Sequence, residues 1–166
     1  VLALLYAQRH PQAVDRVMLV SYPGESGLVN ARLRSAPPLE LAEWLLGRNG
    51  ISEPVRSDAP KTDSMAVQIS INNLASIPLR DMWQTAKTAC LMVSGEKDPA
   101  VQPIPVEQLV EIPAQMHAVS FEGSGHFPML EEGSKFNRLM SDFLALPAGE
   151  SPRELQLKDE WKRRVR

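Results

Sequence analysis

Apolar residues fall along this chain in two rhythms, short unbroken runs and stripes at helical spacing. From Val1 to His10 strong helix formers are apolar on nearly every side until Pro11, which predicts a helix buried against a sheet. Arg16-Val17-Met18-Leu19-Val20-Ser21-Tyr22 is a short apolar run closed by Pro23-Gly24, the pattern of a strand covered on both faces. Similar runs recur at Ala89 to Val93 and at Met116 to Phe121. Between these two, Val106, Leu109 and Val110 follow Pro105 as one face of a helix, the crossover that a parallel pair requires. A final stripe, Phe136, Leu139, Met140, Phe143 and Leu144, predicts a helix laid over a sheet face. Pro147, Gly149 and Pro152 then close the domain.

Between Gly24 and about Lys87 the strand rhythm gives way to segments containing proline and arginine. Leu39 to Leu46 is predicted helical with Gly47 as its stop, and Asp63 to Leu74 is a weaker helix with the acid as N-cap. This stretch reads as a helical insertion in an α/β domain. Arg32, Arg34, Arg48 and Arg56 within it could meet an anionic group, although arginines on such a segment are more often solvated surface. The chain from Pro152 to Arg166 is highly charged and ends in Lys162, Arg163, Arg164 and Arg166. It reads as a solvated tail or frayed helix, with an electrostatic contact to a partner as the alternative.

The 166 residues suffice for one domain with a real core, and 43% hydrophobic with 23% charged residues describes a globular chain. A formal charge of -2, with aromatic residues that are not interleaved with basic ones, argues against a nucleic-acid partner. No apolar stretch is long enough to span a bilayer, and the expected location is the cytoplasm. Cys90 is alone and sits inside an apolar run, so it reads as a small buried hydrophobe. No Gly-x-Gly-x-x-Gly follows a strand and no histidine and acid cluster has ligand spacing, so neither a dinucleotide nor a metal is expected.

Candidate chemistry sits just past the second and third apolar runs. Val93-Ser94-Gly95-Glu96-Lys97-Asp98-Pro99 ends a strand in a turn that carries an acid, and Phe121-Glu122-Gly123-Ser124-Gly125-His126-Phe127-Pro128 ends the next in a turn that carries a histidine. Functional groups of an open parallel sheet collect at the carboxyl ends of its strands. If the two strands are neighbours, roughly 4.8 Å apart, the carboxylate and the imidazole come within hydrogen-bond reach. Asp98 would then accept the Nδ1 proton of His126 and leave Nε2 to act as a base. Gly123 and Gly125 suit a tight turn that needs dihedrals closed to other residues, and Phe127 and Pro128 would limit water on one side. Taken singly, Asp98 is an ordinary turn residue before proline and His126 a loop histidine. Their joint position after successive strands is what points to an acid and base pair, a context that His10 and His117 lack.

Three segments resemble the α/β-hydrolase superfamily, in its proline-iminopeptidase-like or esterase-like branches. VLALLYAQRHPQAVDRVMLV, from Val1 to Val20, is similar to the helix and strand that follow the nucleophile elbow. CLMVSGEKDPAV, from Cys90 to Val101, is similar to the acid turn, and SGHFPMLEE, from Ser124 to Glu132, to the histidine turn. The resemblance implies a partial α/β-hydrolase fold over 1–146, about three parallel strands with flanking helices. It also implies a cap insertion over 24–87, a charged tail over 147–166, and Asp98 and His126 as two members of a Ser-His-Asp triad. No Gly-x-Ser-x-Gly elbow occurs in the sequence. The chain therefore looks like part of a longer reading frame, predicted to be inactive alone, whose first strand could self-associate through an open edge. The expected substrate of the complete protein is a small molecule or short peptide, cleaved at an ester or amino-terminal peptide bond without a cofactor. An aspartate nucleophile, as in dehalogenases and epoxide hydrolases, and a non-catalytic interaction module are the alternatives. In the dehalogenase case Glu25 could replace Asp98 as the acid.

Overall fold

The computed structural model describes residues 1–47 and 52–157, so Arg48 and the basic cluster at Lys162, Arg163, Arg164 and Arg166 lie outside the described residues. Three strands, β1 (Arg16–Val20), β2 (Ala89–Gly95) and β3 (Met116–Phe121), form one parallel sheet in the order β1-β2-β3. Strand β2 runs past its apolar stretch, because Ser94 and Gly95 still pair with Ser120 and Phe121. Alternation of side chains puts Val17, Leu19, Cys90, Met92 and Met116 in one core cluster and Leu91, Val93, Val119 and Phe121 in another. The middle strand is thus buried on both faces, which is why its apolar run is unbroken. Cys90 is fully buried and burial pushes its thiol up to about 12, as befits a small hydrophobe.

Helix α1 (Leu2–Arg9) lays Leu4 and Ala7 on the first face and ends at His10, whose N–H donates to the Tyr6 carbonyl. The segment after β1 holds α2 (Pro38–Leu46), α3 (Glu53–Asp58), α4 (Ser64–Asn73) and α5 (Leu79–Gln84). Gly47 stops α2 with a φ of +67°, and Asp63 caps α4 by accepting from the N–H groups of Met65 and Ala66. Leu33, Ala36 and Leu41 form a small cluster of their own with Ala100 and Val101. Leu79, Met82 and Trp83 of α5 are buried in the first core cluster, so the last helix of this segment packs on the sheet. Trp83 is fully buried and its Nε1 donates to the Gly24 carbonyl at 3.1 Å, which closes the segment back on its own start.

The crossover from β2 to β3 contains only a short helix, α6 (Val106–Leu109). Leu109 packs on the first cluster, but Val106 and Val110 are 63% and 85% exposed, so the predicted apolar face is not buried. A helix this brief turns one side chain inward and no more. After β3 come α7 (Pro128–Glu131) and α8 (Gly133–Leu144). Phe136, Leu139 and Phe143 of α8 cover the second face, Met140 is partly buried, and Leu144 is 59% exposed, so the stripe is narrower than its spacing suggests.

The expectation of a solvated tail from Pro152 onward fails over its first part. Residues Pro152–Leu157 form a 3-10 helix whose Leu155 is fully buried in the second cluster. The guanidinium of Arg153 donates to the carbonyls of Ile112, Pro113 and Met116. A basic side chain that satisfies three carbonyls anchors backbone that its charge alone would assign to solvent. Among the described residues no helix is long and apolar enough to cross a membrane.

Candidate active site

Asp98 is placed by its own turn. Its Oδ1 accepts hydrogen bonds from the N–H groups of Ala100 at 2.8 Å and Val101 at 3.0 Å, a local closure available to an aspartate two residues before a free amide. The other oxygen, Oδ2, lies 2.8 Å from Nδ1 of His126. The Asp98 side chain is 1% exposed and the His126 side chain 20%. Burial by itself would raise the Asp98 carboxyl. The hydrogen bond and charge of His126 and the two backbone N–H groups outweigh it and hold the carboxyl below its ordinary value. It is therefore an anion at neutral pH.

The acid and histidine turns are also stitched together through the backbone. Glu96 N–H donates to the Phe121 carbonyl at 3.0 Å, and Lys97 N–H to the Ser124 carbonyl at 2.9 Å. A Cβ on Gly95 would overlap the carbonyls of Ser124 and Gly125, so only glycine permits this approach. The expected special dihedrals at Gly123 and Gly125 are not found, since among the described glycines only Gly47 and Gly149 have positive φ. Their constraint is space: a Cβ on Gly125 would come within 3.3 Å of the Glu131 carboxylate, and one on Gly123 within 3.1 Å of Glu132.

The histidine turn is held from outside. Gly125 N–H donates to the Glu131 carboxylate. Ser124 Oγ donates to Oε2 of Glu132 at 2.7 Å, and Lys135 Nζ donates to the other oxygen of that carboxylate. Ser21 Oγ, at the end of β1, donates to the His126 carbonyl at 2.7 Å. Phe127 sets its ring edge-to-face against the imidazole, with centroids 4.8 Å apart, and Pro128 is buried beside it. Sequence reasoning does not find Ser21, Glu131 or Glu132. The two glutamates offer a faint signal, lying just after the Gly-His-Phe-Pro turn, and Ser21 offers none beyond its place at a strand end.

The acid turn also anchors the helical segment. Asn30 N–H donates to the Ala100 carbonyl and its side chain to the Pro99 carbonyl, while Gln102 N–H donates to the Leu28 carbonyl and Val29 bridges Val101. Arg32 lies over the Trp44 ring and Arg56 pairs with Glu53, so both are engaged within the segment. Glu25, the alternative acid, precedes a single 3-10 turn at Ser26–Leu28 and has no described contact with His126. His117 lies inside β3, where burial and then the charge of Arg153 lower it to about 4. His10 remains at the end of α1, against the Tyr6 ring.

A cavity of about 540 Å³ opens beside the site, lined by Tyr22, Met92, Ile104, Leu109 and Ala118 among others. It reaches the acid turn through Glu96 and the end of β1 through Ser21, whereas Asp98 and His126 do not line it. Among the described residues no group of three histidine, cysteine, aspartate or glutamate side chains could hold a metal ion. What the arrangement offers is an imidazole whose Nδ1 is fixed by a buried carboxylate and whose Nε2 has no hydrogen-bond partner among the described residues.

No family model matches the chain, and no curated protein matches it. Solved structures do. An esterase from Exiguobacterium antarcticum superposes with a TM-score of 0.68 at 20% identity, over 87% of this chain and 62% of that one. An enol-lactonase from Burkholderia xenovorans gives 0.68 at 20% identity over 86% and 61%, and a meta-cleavage product hydrolase from Pseudomonas fluorescens gives 0.62 at 22% over 86% and 60%. The chain spans about three fifths of the length of these proteins. Identity at this level speaks for architecture, and the parallel sheet with helices on both faces agrees with it: the chain has part of the α/β-hydrolase fold.

Proposed function

We propose that this chain supplies the acid and the base of a hydrolase that attacks an ester or an amino-terminal peptide bond through a serine nucleophile. The observation that carries the reading is the 2.8 Å contact between Asp98 Oδ2 and His126 Nδ1 at the carboxyl ends of adjacent parallel strands. Asp98 accepts the Nδ1 proton, which fixes the tautomer and stabilises the imidazolium that forms later. Nε2 of His126 then takes the proton of the attacking hydroxyl and returns it to the leaving group. The esterases and the enol-lactonase among the structural neighbours favour acyl chemistry.

No Gly-x-Ser-x-Gly segment occurs in these 166 residues, so the chain by itself is expected to show no turnover. The outer edge of β1 pairs with no described strand, and a further strand bearing the nucleophile would add there. The test is a protein in which such a strand and its elbow precede Val1, so that α1 is the helix after the elbow, assayed on a p-nitrophenyl ester. Activity is expected to fall by roughly 10⁴ in Asp98→Asn, the scale of loss when a triad histidine is held in the wrong tautomer, and to vanish in His126→Ala. Hydrolysis that survives His126→Ala unchanged refutes the mechanism.

A further inference from the structure

Ser21 is the one described non-glycine residue with a positive φ, at +48°. A side chain with a Cβ is disfavoured in that region, and such conformations persist where surrounding contacts over-determine them. Two contacts do so here. Ser21 N–H donates to the Val93 carbonyl at 2.9 Å, which carries the β1–β2 ladder one step past the strand end. Its hydroxyl, in a residue only 9% exposed, then donates to the carbonyl of His126 at 2.7 Å. The bond reaches from β1 to the turn after β3, although β2 lies between those strands.

We propose that Ser21 is a positioning residue for His126, its hydroxyl pinning the His126 carbonyl so that the imidazole stays directed at Asp98. The proposal rests on the acid and base reading of Asp98 and His126. His126 has two external holds: Ser21 fixes its own carbonyl, and Glu131 fixes the Gly125 N–H one peptide further upstream. The peptide after His126 is thus held directly, which restricts the Cα–Cβ direction from which a rotamer brings Nδ1 onto Oδ2. Without the Ser21 hydroxyl the carbonyl side is free to turn, and the Nδ1 bond opens more often. The strained backbone brings the hydroxyl to that carbonyl, a geometric reason for a serine to stay where glycine would relax.

The experiment follows the His126 Nδ1 proton by NMR in the 166-residue chain, reading its exchange with water, with melting temperatures as a control for folding. Wild type is expected to show a protected Nδ1 proton that Asp98→Asn abolishes. If wild type shows none, or Asp98→Asn leaves it unchanged, the acid and base reading itself fails. Given the protected proton, Ser21→Gly removes the hydroxyl while relaxing the backbone, and Ser21→Ala removes it while keeping the strain. Exchange is expected to accelerate by on the order of tenfold in both, the scale of one lost hydrogen bond. Unchanged exchange in Ser21→Gly overturns the proposal, and so does acceleration in Ser21→Ala alone, which would assign the effect to backbone strain.

Discussion

The two turns that meet in the site are built in opposite ways. The acid turn closes on itself, Asp98 Oδ1 accepting from Ala100 and Val101 a few residues downstream. The histidine turn has no such internal bond to its reactive residue and is braced by Glu131, Glu132 and Ser21, and by the bare backbone of Gly95. An acid can orient itself because a carboxylate has two oxygens, one for its own turn and one for its partner. An imidazole committed to Asp98 through Nδ1 and to chemistry through Nε2 has no atom left with which to hold its own loop. Its backbone must be held by others.

The most direct way to break the histidine turn without touching either reactive residue is Gly95→Ala. The new methyl meets two backbone carbonyls, which cannot swing aside like the end of a flexible side chain. A loss of about 3 kcal/mol is expected from forced overpacking, read by urea denaturation, together with loss of the Asp98–His126 contact. A variant as stable as wild type would show that the two turns do not need their close approach.

Acid titration distinguishes the Asp98 carboxylate of the acid turn from His117, which lies inside β3 and belongs to neither turn. His117 is lowered to about 4 in the fold, against an ordinary value near 6.5, so the unfolded chain binds the extra proton first. Stability is therefore expected to decline as pH falls through that window, by roughly 2–3 kcal/mol in all, and His117→Leu should flatten the decline in thermal melts. Asp98 has the opposite relation of form to charge, since its anion is the favoured folded species. Its stabilisation is present above the ordinary carboxylate range and is lost as pH falls through its lowered folded value. Asp98→Asn keeps an Oδ1 acceptor for the turn and should remove that lower-pH component. A melt profile in which Asp98→Asn keeps the full decline below the ordinary carboxylate range would contradict this assignment.

The gentlest of these changes is Glu131→Ala. It leaves the Gly125 N–H without its carboxylate partner, at an expected cost of about 1 kcal/mol because Glu131 is exposed and water can replace it in part. Its effect on the His126 Nδ1 proton should be larger than its effect on unfolding. Equal disturbance of the Asp98 turn would erase the contrast between the two loops.

Much of the fold is legible in the sequence because a buried parallel sheet writes itself plainly. Each strand shows as an apolar run, and β2 runs on to Gly95 because the backbone ladder continues after the hydrophobic residues stop. The histidine and the acid are legible because each directly follows such a run. Less is legible where burial depends on what lies opposite. Val106 and Val110 have a helical face that the short α6 does not bury, and Leu155 is fully buried inside a segment whose charge suggests solvent.

The three strands, the helices at either end of the domain and the choice of Asp98 and His126 as candidate acid and base were determined by the sequence alone, because period and turn chemistry are properties of neighbouring residues. The tertiary structure decided the rest: that Asp98 Oδ2 meets Nδ1, that Ser21 reaches across β2 to the His126 carbonyl, and that Arg153 anchors the chain after the last helix. Those contacts join residues distant in the chain, where no local pattern can encode a partner, and they exist only once the packed sheet has brought its ends together.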